Sequence, residues 1–132
     1  LRLGMVVGKT IRWLNVPYKA KSLYDVLKDG KYKATKMGRK SWKSLIDGSS
    51  LQANCNREGF NVYHSYARVR VGLIANQEND CNTPDSRIGY GGRGYICGQD
   101  NNVTTGNASP NTSCSPDNGK KNIKAFGYIL AR

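Results

Sequence analysis

The chain has 132 residues, a formal net charge of +12 and no apolar run near the roughly 20 residues that a membrane-spanning helix needs. Its length fits one domain, so we expect residues 1–132 to fold as a single unit without membrane insertion. Fifteen glycines predict a loop-rich fold, whereas recurring Leu, Ile and Val clusters exclude wholesale disorder. Because the chain begins at Leu1 without a methionine or signal sequence, we expect the processed part of a longer precursor.

A hairpin and a short helix are predicted at the start of the chain. Two β-rich runs between residues 5 and 16 flank Gly8–Lys9, which is typical of a two-residue hairpin turn. Ser22 and Asp25 have the spacing of a helix capping box, and Gly30 lies where a C-terminal cap belongs.

The remaining predicted elements are one more helix and three strands. The helix should carry Trp42 and stop at Gly48, and the strands are expected at 60–63, 67–75 and 123–131. Strands and short helices follow no βαβ rhythm. The sequence therefore predicts an α+β fold with a largely antiparallel sheet and long loops.

Residues 76–122 are predicted to form one long loop, which must be tied down or functional in a compact domain. Four cysteines lie around or within it: Cys55, Cys81, Cys97 and Cys114. None is in a Cys-x-x-Cys pair, and the chain has a single histidine, so a zinc site is excluded. Their even number predicts two disulfides, with all three pairings open.

Three N-glycosylation sequons begin at Asn102, Asn107 and Asn111, between the last two cysteines. Three sequons so close together, with an even number of cysteines, favour a secreted protein with an exposed, glycosylated loop. Pro110 directly after the second sequon disfavours glycan attachment at Asn107.

Positive charge is concentrated in the first part of the chain. Residues 1–50 hold twelve Lys or Arg and three Asp, whereas residues 51–132 hold nine and six acidic residues. Aromatic residues interleave with these lysines, a pattern that would suit nucleic acid. An extracellular location instead favours acidic or sulfated polysaccharides as partners and excludes nucleic acid. A solvated charged face is the alternative.

Oxygen-bearing side chains gather in the 76–100 region, although acidic residues are scarce elsewhere. They are Asn76, Glu78, Asp80, Asn82, Asp85 and Asp100. These are the residue types that bind Ca²⁺, although no EF-hand pattern is present. The alternative is a polar loop whose carboxylates pair with Arg70, Arg87 or Arg93.

Two tyrosines flank the glycine series of residues 89–95, and the glycines are expected to form turns that present Tyr90 and Tyr95. An aromatic ring beside polar groups matches the amphipathic surface of a sugar. Catalysis is not expected. His64 has no nucleophile setting around it, and nothing near Glu78 and Asp80 predicts a pocket that would raise the pKa of one carboxylate.

Three segments carry a resemblance to a known family: NCNREGFNV, ARVRVGLIANQENDCNTPDSRIGYGGRGYICG and SPDNGKKNIKAFGYILAR. In this order they resemble the C-terminal part of fibrinogen-related proteins, especially the intelectin (X-type lectin) branch and the fibrinogen-like proteins of corals and anemones. The resemblance implies a compact fibrinogen-like domain, and it implies that Cys55 pairs with Cys81 and Cys97 with Cys114.

The resemblance also implies an extracellular lectin that holds sugar diols on bound Ca²⁺. The family's ligand positions fall near residues 76–77, at Asp85 and near residues 99–100, whereas residues 93–96 offer no carboxylate for the family's Glu. Either Glu78 or Asp80 substitutes for that Glu, or the site does not bind Ca²⁺. The expected metal ligands are Asn76, Glu78, Asp85 and Asp100, and the expected sugar contacts are Asn76, Asp85, Tyr90 and Tyr95.

Two functions therefore follow from the sequence. The first is a secreted glycan-binding lectin that acts through the 76–100 loop, and we expect it to be a homo-oligomer because single-site sugar affinity is weak. The alternative is an extracellular-matrix or structural protein that binds acidic polymers through its basic N-terminal part.

Overall fold

A computed structural model of the protein describes residues 1–64 and 67–131. Its first element is the predicted hairpin, formed by β1 (Arg2–Val7) and β2 (Thr10–Asn15). Gly8 in the turn has a φ of +59°, a conformation that favours glycine. The last strand, β11 (Phe126–Leu130), pairs with the other side of β1 and completes a three-stranded antiparallel sheet.

Two five-residue helices follow the hairpin, α1 (Leu23–Leu27) and α2 (Arg39–Lys43). The predicted cap of α1 is confirmed, because the Ser22 hydroxyl accepts a hydrogen bond from the Asp25 amide at 3.1 Å. Trp42 lies in α2 and is fully buried, but the helix ends before the predicted stop at Gly48.

A long hairpin of β4 (Asn54–Tyr63) and β5 (Ala67–Asn76) forms the centre of the second, larger sheet. The other strands of this sheet are β3 (Lys33–Ala34), β6 (Ser86–Tyr90), β7 (Arg93–Ile96), β8 (Gln99–Asp100), β9 (Gly106–Ser109) and β10 (Lys121–Lys124). The strands of the main path run in the spatial order β10–β9–β6–β5–β4–β3, and β7 pairs with β5 and with β8.

The predicted α+β class is wrong, because the described residues form a mostly β domain with only short helices. The error came from residues 76–122, which were predicted as a loop but contain four complete strands, β6 to β9. Their short length and many glycines hid the alternation that marks a strand. The predicted strand 123–131 is also divided, since β10 and β11 lie in different sheets on either side of Ala125.

A row of glycines crosses the large sheet. Gly72 of β5 pairs with Gly59 of β4 and with Gly89 of β6, which pairs in turn with Gly106 of β9. All four have φ between +135° and +155°, a region that glycine alone adopts without strain. A Cβ on Gly72 would overlap the carbonyl oxygen of Ile88, and the other three positions meet backbone atoms in the same way. The row therefore depends on the absence of side chains.

The main hydrophobic core joins the two sheets and the helices. Its buried members are Leu3, Met5, Leu14, Val16, Val26, Trp42, Leu45, Ile46, Leu51, Phe60, Val71, Leu73, Ala75, Ile88 and Tyr90. A smaller cluster contains Val62, Ala67, Val69 and Ile74. Leu73 and Ile74 are neighbours on β5 and point to opposite faces, so the large sheet buries apolar side chains on both sides.

The buried carboxylate of Glu58 on β4 joins the segment around α2 to the large sheet. It accepts hydrogen bonds from the Thr35 hydroxyl, the Met37 and Gly38 amides and the indole N–H of Trp42. Burial alone would raise the pKa of Glu58, but the four hydrogen bonds outweigh it and hold the pKa below its ordinary value.

Replacing Glu58 by Gln should lower the free energy of unfolding by about 2 kcal/mol at pH 7, because an amide NH₂ then faces a buried N–H donor. The pKa of Glu58 is lowered in the folded protein, so its contribution is complete above the ordinary Glu pKa of about 4.3. It is lost as the pH falls through the folded-state value.

Urea denaturation of the wild type and of Glu58→Gln across this pH range measures the effect. The matched control is Glu78→Gln, which changes an exposed carboxylate. A difference between Glu58→Gln and the wild type that does not shrink at low pH would show that the hydrogen-bonded carboxylate is not the cause.

Candidate functional site

Two disulfides stabilise the region that the sequence singled out. Cys55 is bonded to Cys81, and Cys97 is bonded to Cys114. The prediction of two disulfides is confirmed, and the pairs are those that the family resemblance implied. The second bond joins the β7–β8 turn to a single 3₁₀ turn at Thr112–Cys114, so it connects two segments of the region predicted as a loop.

β7 and β8 form a tight hairpin at the edge of the large sheet. Cys97 and Gly98 are its two turn residues, with φ of +49° and +78°. Positive φ at both central positions is typical of a type I′ turn, which matches the twist of a β-hairpin. The hairpin aligns Tyr95 with Asp100 across its two strands.

The guanidinium of Arg87 fastens this hairpin to the sheet. Arg87 lies on β6, is 1% exposed, and donates hydrogen bonds to the carbonyl oxygens of Gly94 (3.2 Å), Asn101 (3.3 Å) and Val103 (2.9 Å). Burial lowers the pKa of Arg87 to about 10, and the charge of Asp100 opposes part of this shift, so the group stays protonated at neutral pH. The predicted alternative that Arg87 pairs directly with a carboxylate is not observed among the described residues.

Asp85 holds the hairpin turn from the other side. Its Oδ1 atom accepts a hydrogen bond from the Cys97 amide at 3.0 Å, and the described residues give its Oδ2 atom no hydrogen-bond donor. Burial raises the pKa of Asp85, and the Cys97 amide opposes this shift. One carboxylate oxygen therefore has a structural role, whereas the other remains able to accept a hydrogen bond.

A cavity of about 310 Å³ lies where Asp85 meets the hairpin, and it is lined by Thr83, Asp85, Tyr95 and Gly98. Tyr95 is 51% exposed, so the cavity has an accessible aromatic wall beside a half-buried carboxylate. We call this space the hairpin cavity. Two of the four predicted sugar contacts, Asp85 and Tyr95, are brought together here.

The other two predicted sugar contacts have structural roles instead. Tyr90 is 7% exposed, belongs to the main core and donates a hydrogen bond from its hydroxyl to the Gly4 carbonyl at 2.8 Å. Asn76 is fully buried, and its amide donates to the Asp80 carbonyl at 3.1 Å while its oxygen accepts from the Gln77 amide at 2.9 Å. Neither side chain is available to a ligand.

The four predicted calcium ligands do not form a site. Asn76 is occupied as described, Glu78 is exposed, and Asp100 lines a separate cavity of about 160 Å³ rather than the hairpin cavity. Within residues 1–64 and 67–131, no three His, Cys, Asp or Glu side chains are grouped as a metal site requires. The four expected ligands are therefore not grouped around one point among the described residues, and a calcium requirement stays a prediction.

The three sequons differ in exposure. Asn102 and Asn111 are exposed, whereas Asn107 on β9 is fully buried. The Asn107 amide donates to the carbonyls of Ser50 (2.9 Å) and Arg87 (3.0 Å), and its oxygen accepts from the Ser50 amide. A glycan on Asn107, the sequon that Pro110 already disfavours, is therefore incompatible with the buried position of this side chain.

Many N-terminal cations are already paired with carboxylates. The ion pairs are Arg12–Asp47, Lys28–Asp25, Lys33–Asp29, Arg39–Asp117 and Lys43–Asp117. Three of these four carboxylates belong to residues 1–50 and are already counted in the charge of that segment, so only Asp117 adds negative charge to it. Such partly exposed pairs add little stability.

Sequence reasoning missed Thr83 and Gly98 as lining residues and Arg87 as the side chain that holds the hairpin. Gly98 carried a usable signal, because a glycine two residues after a β-rich Tyr-Ile pair is typical of a hairpin turn. No such signal existed for Arg87, because its carbonyl partners are separated from it by up to 16 residues.

No family model, curated protein or solved structure matches the chain. The fibrinogen-like and intelectin-like resemblance thus rests on its motifs alone. None of the described helices combines the length and apolar character that crossing a lipid bilayer demands.

Expression in a eukaryotic secretory system should attach glycans to Asn102 and Asn111 and leave Asn107 unmodified. Peptide mass mapping after enzymatic deglycosylation in ¹⁸O-water identifies each occupied site. A folded protein with a glycan on Asn107 would contradict the described environment of β9, because the side chain has no path to solvent there.

Proposed function

We propose that this protein is an extracellular carbohydrate-binding protein and that the hairpin cavity is its sugar site. One observation carries the proposal: the half-exposed ring of Tyr95 and the half-buried carboxylate of Asp85 line one cavity. The cavity volume of about 310 Å³ matches the lower end of known ligand pockets and suits one or two sugar rings.

The two side chains offer complementary chemistry for a sugar. A tyrosine ring packs against the apolar C–H face of a pyranose, and its hydroxyl donates or accepts hydrogen bonds. The partly desolvated carboxylate of Asp85 accepts charge-assisted hydrogen bonds from sugar hydroxyls, which are stronger than neutral ones. Because Cys97 holds one oxygen of Asp85 in place, the other is pre-oriented for a ligand.

An extracellular setting supports this reading. Two disulfides are typical of proteins that fold in an oxidising compartment, and the sequons at Asn102 and Asn111 lie on exposed residues.

A single small cavity binds sugar weakly, so useful avidity requires several copies, and we propose a homo-oligomer. The chemistry of the hairpin cavity is binding rather than catalysis.

Sugar binding at the hairpin cavity is proposed to be direct. The residues expected to hold Ca²⁺ are not assembled, so Asp85 and Tyr95 are proposed to contact the sugar through hydrogen bonds and ring packing. Repeating each binding measurement with a chelator tests the calcium expectation separately. Loss of sugar binding in the presence of the chelator would show that the site requires a metal ion.

Tyr95→Ala should weaken sugar binding by roughly tenfold, equivalent to about 1.4 kcal/mol, because the apolar sugar face loses its ring contact. Asp85→Asn should also weaken binding, while its remaining oxygen still accepts from the Cys97 amide. Since burial raises the pKa of Asp85, removing its charge should not lower the melting temperature at pH 7.

A glycan array identifies the sugar, and titration calorimetry with the best neutral hit measures the affinities. Tyr24→Ala is the matched control, because Tyr24 is 72% exposed on α1 and does not line the hairpin cavity. Equal losses of sugar affinity in Tyr24→Ala and Tyr95→Ala would refute the proposed site. The absence of any glycan-array signal from the folded wild type would refute it as well.

A further inference from the structure

Another cavity, of about 550 Å³, lies beside β5 and β7, and we call it the basic groove. Its lining residues are Leu27, Lys28, Gly30, Asn61, Val62, Tyr63, Arg68, Val69, Arg70, Gly91, Gly92 and Arg93. They include four cations, and no Asp or Glu is among the described residues that line it. The groove therefore concentrates positive charge where a low-dielectric wall strengthens its field.

Two of these cations face one another across neighbouring strands. Arg68 of β5 is the direct cross-strand partner of Arg93 of β7. Like charges in this position repel and destabilise a sheet. Neither arginine has an ion pair with a described carboxylate, so no described negative charge offsets the repulsion. A bound anion between the two guanidinium groups would offset it.

Arg70 is held in the groove by neutral acceptors. Its Nε atom donates to the Asn61 side chain at 2.8 Å, and Nη2 donates to the Leu27 carbonyl at 3.0 Å. Asn61 is itself fixed, since its amide donates to the carbonyls of Leu27 (3.2 Å) and Lys31 (3.1 Å). These contacts orient the guanidinium and leave its charge uncompensated.

An aromatic and apolar surface accompanies the charges. Tyr63, which is 58% exposed, is the cross-strand partner of Arg68, and the guanidinium of Arg68 lies 5.3 Å from the ring centroid. Val62 and Val69 line the same groove. Cations beside an aromatic ring fit a ligand that alternates anionic groups with apolar C–H faces.

The basic groove and the hairpin cavity each include a residue of β7. Arg93 lines the groove and Tyr95 lines the hairpin cavity, and both are exposed two residues apart on one strand. Residues two apart on a strand project from the same face at a spacing of about 7 Å. One extended chain can therefore contact both.

We propose that the basic groove binds the sulfate groups of a sulfated polysaccharide whose neighbouring sugar enters the hairpin cavity. The proposal deepens the proposed function by naming its substrate class, and it rests on that function for the identity of the ligand as a glycan. Arg68 and Arg93 bind one sulfate between them, Arg70 extends the anion-binding surface, and Tyr63 packs against the sugar backbone.

The test compares dextran sulfate with neutral dextran of equal length, using the 132-residue chain with both disulfides formed and biolayer interferometry at two salt concentrations. The variant Arg68→Gln/Arg93→Gln removes the facing pair. The control Lys9→Gln/Lys19→Gln removes the same net charge from exposed lysines that do not line the groove. The groove variant should bind dextran sulfate at least tenfold more weakly, whereas the control should lose less than threefold.

Thermal unfolding provides a second readout that separates binding from folding. Without ligand at low salt, the melting temperature of the groove variant should be equal to or above that of the wild type, because the repulsion between Arg68 and Arg93 is gone. Dextran sulfate should raise the melting temperature of the wild type and leave that of the groove variant nearly unchanged.

Three outcomes would overturn the inference. Equal weakening in the groove variant and the control would show general charge attraction without a site. Single-stranded DNA of matched charge that binds as tightly as dextran sulfate, with the same dependence on Arg68 and Arg93, would identify a polyanion site unrelated to sugars. A groove variant that melts well below the wild type would show that the arginines stabilise the fold.

The proposed sugar site and the proposed sulfate site are tested with different variants. If neutral sugar binding depends on Tyr95 while dextran sulfate binding ignores Arg68 and Arg93, the sugar site stands and the sulfate inference fails. If dextran sulfate binding depends on the arginines but no glycan depends on Tyr95, the hairpin cavity is refuted and the groove remains an anion site.

Discussion

Both proposed binding surfaces depend on the hydrogen bonds that the buried guanidinium of Arg87 donates. It donates to the backbone carbonyls of Gly94 in β7 and of Asn101 and Val103, which follow β8. A buried charge that lost these acceptors would be costly, so the hairpin is held in one position relative to β6. Arg93 and Tyr95 on β7 are positioned together as a result, and the disulfide at Cys97 fixes the turn beyond them.

Local sequence signals predicted the elements that depend on neighbouring residues. The turn at Gly8, the Ser22 cap and the strand of alternating Val69, Val71 and Leu73 appear as expected, because turn chemistry, capping and side-chain period act over a few positions. The class was wrong because β6 to β9 are short and rich in glycine. Gly89 and Gly106 belong to a row that only the paired strands reveal.

The sequence predicted only part of the candidate site, because contacts between residues that are distant in the chain leave no local signal. Asp85 and Tyr95 were identified, but Asn76 and Tyr90 were assigned to ligand binding from residue type alone, although their polar atoms satisfy partners inside the protein. The repulsive pair Arg68 and Arg93 is invisible in the sequence, since 25 positions separate two residues that strand register makes neighbours. Charge totals pointed instead to the N-terminal half, where carboxylates neutralise several cations.

Chemical-shift mapping by ¹H–¹⁵N NMR during a titration with a sulfated oligosaccharide tests the account most directly, because it reports on both surfaces in one experiment. The account predicts that the largest amide shifts fall on Arg68, Arg93, Tyr95 and Gly98, and that residues of β1 and β2 stay unperturbed. Large shifts confined to the N-terminal lysines, with β7 unchanged, would contradict the claim that the β7–β8 hairpin carries the glycan site.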